Sequence, residues 1–405
     1  MKEQQQNNTK ALLALAVTAF AIGTTEFISV GLLPMIAADL QTSLQVTGLT
    51  VSIYAIGVMI GAPVLTSLLA HIPRKKLLLG IMLIFIIGNS IAMFSTTIGI
   101  LLVARLVSAL AHGVFMSIGS TIAASLVPAN RRASAIAIMF TGLTVATITG
   151  VPFGTLIGQQ FGWRMAFAFI VVIGILALIA NMVLIPSSIQ KGTKIGFGEQ
   201  LKLVKNGRLL LVFIITALGY GGTFVVFTYL SPLLQEVSGF SAKTVTLIIL
   251  FYGVTVAIGN TIGGKLANNN PIRALFYMFV IQAIVLFVLY FTVPFKIAGL
   301  ITILFMGLFA FMNVPGLQTY VVILAERFVP SAVDVASAIN IAAFNAGIAI
   351  GSYAGGVIAK SMGLIHTTWI AGIMVTGAVI LAAICVKQEK TEESVQNELT
   401  NNNIK

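Results

Sequence analysis

The chain has 405 residues, 58% of them apolar and only 8% charged. That is about 235 apolar side chains, near the roughly 240 that twelve membrane-crossing helices of about 20 residues need. A soluble domain carries roughly 25% charged residues. A soluble enzyme, a nucleic-acid-binding domain and a disordered chain are excluded as whole-chain readings, because no water-facing fold hides so much apolar surface. The formal net charge of +12 is read as Lys and Arg retained in cytoplasmic loops rather than as a nucleic-acid footprint. One cysteine, Cys385, excludes an internal disulfide and a Cys-rich metal site.

In chain order, hydropathy predicts twelve apolar spans, at about 11–33, 48–70, 77–95, 98–120, 133–156, 164–185, 209–231, 243–264, 274–293, 297–320, 336–358 and 369–386. The first apolar run is longer than a signal-peptide core, so it is expected to stay with the protein. The expected fold is an all-α polytopic membrane protein. Its domains are a six-helix bundle at 1–185, a cytoplasmic linker at 186–208, a second six-helix bundle at 209–386 and a disordered tail at 387–405. The linker carries Lys191, Lys194, Lys202, Lys205 and Arg208 and is expected to hold a short amphipathic helix. The segment from Gly259 to Leu266 imitates a nucleotide P-loop, but lacks its Ser/Thr and ends an apolar helix instead of following a strand, so ATP is not expected as an energy source.

Counting Lys and Arg orients the chain. With the N-terminus in the cytoplasm, 18 of them fall inside, four outside, and Arg105 within a span. Both termini and the linker are therefore expected on the cytoplasmic side of the cell's inner membrane.

The two halves repeat one another. At an offset of 198, Pro34 matches Pro232, Ser43 matches Ser241, Tyr54 matches Tyr252, Gly61 matches Gly259 and Pro73 matches Pro271, with Lys75 opposite Arg273. Later, Ala133-Ser134-Ala135-Ile136 returns as Ala336-Ser337-Ala338-Ile339. Two halves of like topology are parallel repeats, which place a cavity between them near the midplane.

Glu26 and Arg105 are the two charged residues within the predicted spans. A charge there costs roughly 2.5–3.5 kcal/mol and should face the protein interior. Each lies about seven residues from the outer end of its span, roughly 10 Å deep. At matching depth a direct or water-bridged pair is expected to be within reach. One reading is a fixed ion pair pinning two helices. The other is a titratable carboxylate in the transport path, and on that reading Glu26 couples proton and substrate. His112 lies seven residues beyond Arg105, on nearly the same helix face. Asn313, Asn340 and Asn345 are amides deep in the tenth and eleventh spans, readable as helix-helix glue or as substrate contacts. Tyr220 offers an aromatic wall with a hydroxyl. The fifth span contains Gly150, Pro152, Gly154 and Gly158, of which Gly154 and Gly158 form a small-xxx-small face for close helix approach, and Pro152 removes a backbone hydrogen bond and bends the helix.

The chain resembles the major facilitator superfamily over residues 10–386. More narrowly it is similar to the twelve-span drug:proton antiporters, in their sugar-efflux and arabinose-efflux-permease-like branch. The carrying segments are Gly23-Thr-Thr-Glu26-Phe with Gly31-Leu-Leu-Pro34, Arg105 through His112-Gly113, and Gly150-Val-Pro152-Phe-Gly154 through Gly158 to Trp163-Arg164. The resemblance implies an acidic coupling residue at Glu26, an arginine implicated in proton transfer at Arg105, and an antiporter-type motif around Pro152. It also implies a cavity lined by spans one, four, seven and ten. Two departures stand out. The gating loop of Arg74, Lys75 and Lys76 has Ala70 where the family places an aspartate, and Gly150-Val-Pro152 replaces the Gly-Pro pair of many drug antiporters.

The expectation is a secondary transporter exporting a small organic solute or drug in exchange for protons, acting as a monomer in lipid, without cofactor, metal or nucleic acid. The alternative is a proton-independent facilitator or uptake carrier for a sugar or nucleoside. An integral-membrane enzyme would need a clustered acid/base or metal set that the sequence does not offer.

Overall fold

A computed structural model describes residues 2–69, 71–127, 132–186, 203–267, 270–330 and 333–402. Among these residues the fold is helical and contains no strand. Twelve helices are long and apolar enough to cross a membrane: α1 Asn8–Asp39, α2 Leu44–Leu65, α3 Arg74–Met93, α4 Ile98–Gly119, α5 Ile138–Phe161, α6 Trp163–Leu184, α7 Gly207–Phe227, α8 Ala242–Ala267, α9 Pro271–Thr292, α10 Lys296–Phe328, α11 Val335–Ser361 and α12 His366–Thr391.

Local chemistry sets many of the boundaries. Ser43, Thr97, Asn206 and Asn270 cap α2, α4, α7 and α9 by accepting hydrogen bonds from backbone N–H groups two or three residues on. Pro271 then opens α9, where a missing N–H costs nothing. Gly162 separates α5 from α6 at φ 90°, a conformation open to glycine. Prolines mark the irregular turns. A π-helical turn contains Pro63 in α2, a second at Ala146–Gly150 precedes Pro152 in α5, and a third at Leu233–Val237 follows Pro232 beyond α7. Proline frees a carbonyl one turn back, and the widened turn accommodates that loss. Inside α10 the helix opens at Phe311–Asn313 and restarts with Pro315 in its first turn.

The twelve spans match the sequence expectation, several of them running longer, as α5 does to Phe161 and α10 to Phe328. The first helix runs to Asp39, and the last is helical through Asn402, where an irregular tail is expected from Lys387 onward. The amphipathic segment expected in the linker, and Ala70, lie outside the described residues.

Packing separates two clusters. One gathers buried side chains of α1 and α3–α6. The other gathers those of α7–α12 together with Phe27, Val30, Leu33, Val51 and Ala55 from α1 and α2. The halves meet where α2 packs along α11 and α5 against α8. The repeat is visible in the packing as well: Gly61 lies against the backbone of Leu110, and Gly259 against that of Leu308.

At the end of the bundle carrying the α1–α2 turn, the halves are in direct contact. Gln159 Nε2 of α5 donates to the Ala242 carbonyl at 2.9 Å and to Thr246 Oγ1 at 2.8 Å, both on α8. Tyr229, just past α7, fits its hydroxyl over Gly48 of α2 and Gly356 of α11 and donates to the Ser352 carbonyl at 3.2 Å.

Candidate functional site

Arg105 is the largest fully buried side chain among the described residues, at 1% exposure. Its guanidinium donates in three directions: Nε to the Thr50 carbonyl at 3.1 Å, Nη1 to the Thr25 carbonyl at 2.5 Å, and Nη2 to the Glu26 carbonyl at 3.1 Å. Each of those carbonyl oxygens has a second lone pair beyond any helical bond it accepts. The guanidinium carbon also lies 4.0 Å from the centroid of the Tyr54 ring, a cation–π contact. Arg105 thus ties α4 to α1 and α2 through dipoles and a π face. A rigid planar fork can do this where a point-charge ammonium cannot.

Glu26 behaves differently. Its side chain is only part-buried. An ion pair joins Arg164 to Asp39, but among the described residues none forms an ion pair or a hydrogen bond with the Glu26 carboxylate. The expected pairing of Glu26 with Arg105 is present only between the guanidinium and the Glu26 main chain. The carboxylate lies within electrostatic reach of Arg105 and Tyr54 in the first half and of Tyr220 in the second, with its oxygens unbonded.

His112 joins this group through Tyr54, whose hydroxyl lies 3.1 Å from His112 Nδ1, the rings 5.7 Å apart. Arg105, Tyr54 and His112 thus form a continuous contact chain across α2 and α4. Tyr54 is the candidate-site residue that sequence reasoning passed over. It registered only as a repeat match, although an aromatic so placed beside a buried cation was the available signal.

Across from Glu26 stands an aromatic wall. Tyr220 contacts Phe224, Phe311 and Phe344 at ring-centroid distances of 6.0, 5.4 and 4.3 Å. Phe27, next to Glu26, reaches over to Phe224, Phe227 and Phe311 at 6.1–6.2 Å. Phe227 in turn stacks on Tyr252 at 5.1 Å and 16°. Polar chemistry therefore lies on one side, from the first half, and π surface on the other.

The deep amides divide. Asn313 Nδ2 donates to Gln282 Oε1 at 3.0 Å, and Gln282 Nε2 donates to Thr223 Oγ1 at 2.5 Å. Asn340 Nδ2 donates to Gln318 Oε1, and its Oδ1 accepts from Thr216 Oγ1, both at 2.8 Å. Gln318 donates onward to Ser337. These two networks cross-link helices within the second half and do not reach Glu26. Asn345 donates back to the Ile341 carbonyl of its own helix and leaves Oδ1 buried without a partner.

Helix α5 holds the Glu26 helix in place. Gly142 abuts the Ala16 carbonyl, and Gly150, Gly154 and Gly158 fit against Thr24, Ile28 and Leu32, one helical turn apart each time. The π turn beside Gly150 faces the other half, where Gly253 of α8 lies on the backbone of Thr147 and Ile148. Beyond it, Trp163 Nε1 and Arg164 Nη1 both donate to Asp39 Oδ2, at 3.0 and 2.7 Å. Arg74, Lys75 and Lys76 open α3, but Ala70 is not among the described residues, so their gating partner is not seen.

Comparison with known proteins agrees with this architecture. A family model described as Major Facilitator Superfamily matches residues 15–327. An uncharacterized MFS-type transporter of Bacillus subtilis, YtbD, is 69% identical over 97% of this chain and 99% of its own length. The inner membrane transport protein YdhP of Escherichia coli K12 is 35% identical over 95% of this chain and 98% of its own. A chloramphenicol resistance protein of Streptomyces lividans is 34% identical over 65% of this chain and 68% of its own. With twelve membrane-length helices in two repeated sets of six, and a family match over more than three-quarters of its residues, this chain belongs to the major facilitator superfamily.

Proposed function

We propose that the protein exports a small organic solute by alternating access, exchanging it for protons at Glu26. The observation carrying this reading is the division of labour at the buried charges. Arg105 is satisfied by three carbonyls and a π face, so it is a fixed cation, while the Glu26 carboxylate has no bonded partner and keeps accessible surface. A carboxylate locked in an ion pair would have to break that pair to titrate, whereas this one does not. Coupling requires that cargo and proton favour different states, and one unbonded carboxylate within reach of both halves supplies that competition. The resistance to chloramphenicol named for one relative supports export of drug-like cargo. On this reading the chain works as a monomer in the cytoplasmic membrane with both termini inside, driven by the proton gradient with no bound cofactor, as a carrier and not as an enzyme.

The test uses everted vesicles energised to an acidic lumen, with the gradient followed by quenching of a fluorescent amine. A panel of sugars, nucleosides and drugs is added to vesicles holding either the unmodified protein or Glu26→Gln. Gradient collapse by one compound, dependent on Glu26, is the expected result. Equal collapse in the Gln variant, or solute equilibration with no proton movement, would sink the coupling role.

A further inference from the structure

Tyr252 is 1% exposed, and its hydroxyl is among the buried polar atoms with no hydrogen-bond partner. An unpaired buried hydroxyl costs about 1–3 kcal/mol, and in a native protein such a group calls for an explanation. Its ring is held on two sides. It stacks on Phe227, and α10 comes close because Gly307 has no side chain, since a Cβ there would stand 2.9 Å from Tyr252 Cδ2. The ring is therefore fixed, and its hydroxyl is held buried and unpaired. Its repeat counterpart, Tyr54, is fully used, by Arg105 on its face and His112 at its hydroxyl. Tyr252 has no such occupant. Phe227, on which it stacks, touches Phe27 beside Glu26 at a centroid distance of 6.1 Å and Phe224 at 5.3 Å, and Phe224 in turn stacks on Tyr220 at 6.0 Å. Around them lie Phe27, Phe224, Phe311 and Phe344.

We propose that Tyr252 is a cargo-binding residue, and that with Tyr220 and Glu26 it selects an aryl compound bearing hydroxyl or amide groups over a plain sugar. The aryl ring lies on the phenylalanine wall. Its polar substituent accepts from the Tyr252 hydroxyl, while a donor on the same substituent reaches Glu26. A sugar satisfies the hydroxyls and leaves the wall without a flat partner, whereas a bare arene leaves Tyr252 as unpaired as before. This selectivity rests on the transporter reading above but not on proton coupling.

The test uses the purified full-length protein, with chloramphenicol as the aryl probe and arabinose as the non-aryl probe. Binding is read by equilibrium dialysis of the radiolabelled probe and by the thermal midpoint with and without it. Tyr252→Phe keeps the ring and its stack. It should bind chloramphenicol about three- to tenfold more weakly, the loss expected for one neutral hydrogen bond. Its unliganded midpoint should equal or exceed that of the unmodified protein, because an unpaired buried group has been removed. Arabinose should bind to neither. Equal chloramphenicol binding by both proteins, arabinose binding without chloramphenicol binding, or no chloramphenicol binding at all overturns the proposal. A lowered unliganded midpoint also overturns it, by showing a structural hydroxyl. Glu26→Gln separates the two ideas: if proton coupling survives in that variant while Tyr252→Phe still weakens binding, only the coupling role fails.

Discussion

At the offset of 198 that aligns the two repeats, Glu26 falls opposite Phe224, Arg105 opposite Ile303 and His112 opposite Ala310. Tyr54 alone meets its own kind, in Tyr252. The helices and a close glycine contact are duplicated, yet the buried charges lie in the first half, and the aromatic wall, Phe27 apart, in the second. The second half spends its buried polarity on itself, in the Thr223–Gln282–Asn313 and Thr216–Asn340–Gln318–Ser337 chains. Buried amide pairs of this kind cross-link neighbouring helices. The duplicated fold thus repeats the helix packing, while the buried charged residues stand in one copy only.

That contrast can be broken most sharply at Arg105. Arg105→Lys retains the charge but not the fork, so two of three charge-assisted bonds are lost at about 1.5–3 kcal/mol each. Thermal unfolding in detergent should show a loss of about 3 kcal/mol or more, with transport abolished. Ile303→Val, the matching position in the second half, should cost only about 0.5–1.5 kcal/mol. Equal losses would end the asymmetry argument. Next comes Asn340→Leu, which leaves Thr216 and Gln318 unpaired and should cost about 1–3 kcal/mol. Proton coupling, read by the same gradient assay, should persist. Loss of coupling with stability intact would place Asn340 in the transport path after all. The glycine ladder sharpens the comparison within one helix. Gly142→Ala drives a methyl into the Ala16 backbone and should cost about 1–3 kcal/mol, whereas Gly154→Ala meets only the mobile end of Ile28 and should cost less. The reverse order would refute the packing account. Smallest is Asp39→Asn, at a half-exposed pair. It should shift stability by under about 1 kcal/mol, and less still in high salt.

Much of this was legible beforehand, and the reasons are physical. Twelve membrane crossings are forced by apolar runs that no other environment tolerates, and Glu26 and Arg105 stand out because a charge in lipid must be explained. The partners of Arg105 were not legible, since every residue carries a carbonyl and nothing in the sequence marks which ones a guanidinium will reach. Tyr54 was visible only as a repeat match to Tyr252, because aromatics are common in apolar helices and nothing local marks one that will meet a buried guanidinium. The amides Asn313 and Asn340 could be flagged as needing partners, but Gln282 and Gln318 lie 31 and 22 residues away in the chain, and only the tertiary fold joins them. The opening of α10 had a local signal in Pro315, while its position at Phe311–Asn313 depended on packing.

The fixation of Arg105 on carbonyls has an electrical consequence. With that cation permanent, the formal charge of the site is set by Glu26 alone, +1 when the carboxylate is protonated and zero when it is not. For an exchange of one proton per cargo molecule, a neutral cargo makes each turnover carry one elementary charge across the bilayer, and the membrane voltage contributes about 2.3 kcal/mol per 100 mV. A monovalent cationic cargo cancels that charge and makes the cycle indifferent to voltage. Imposing a potassium diffusion potential with valinomycin on proteoliposomes therefore reports the charge of the cargo before its structure is known.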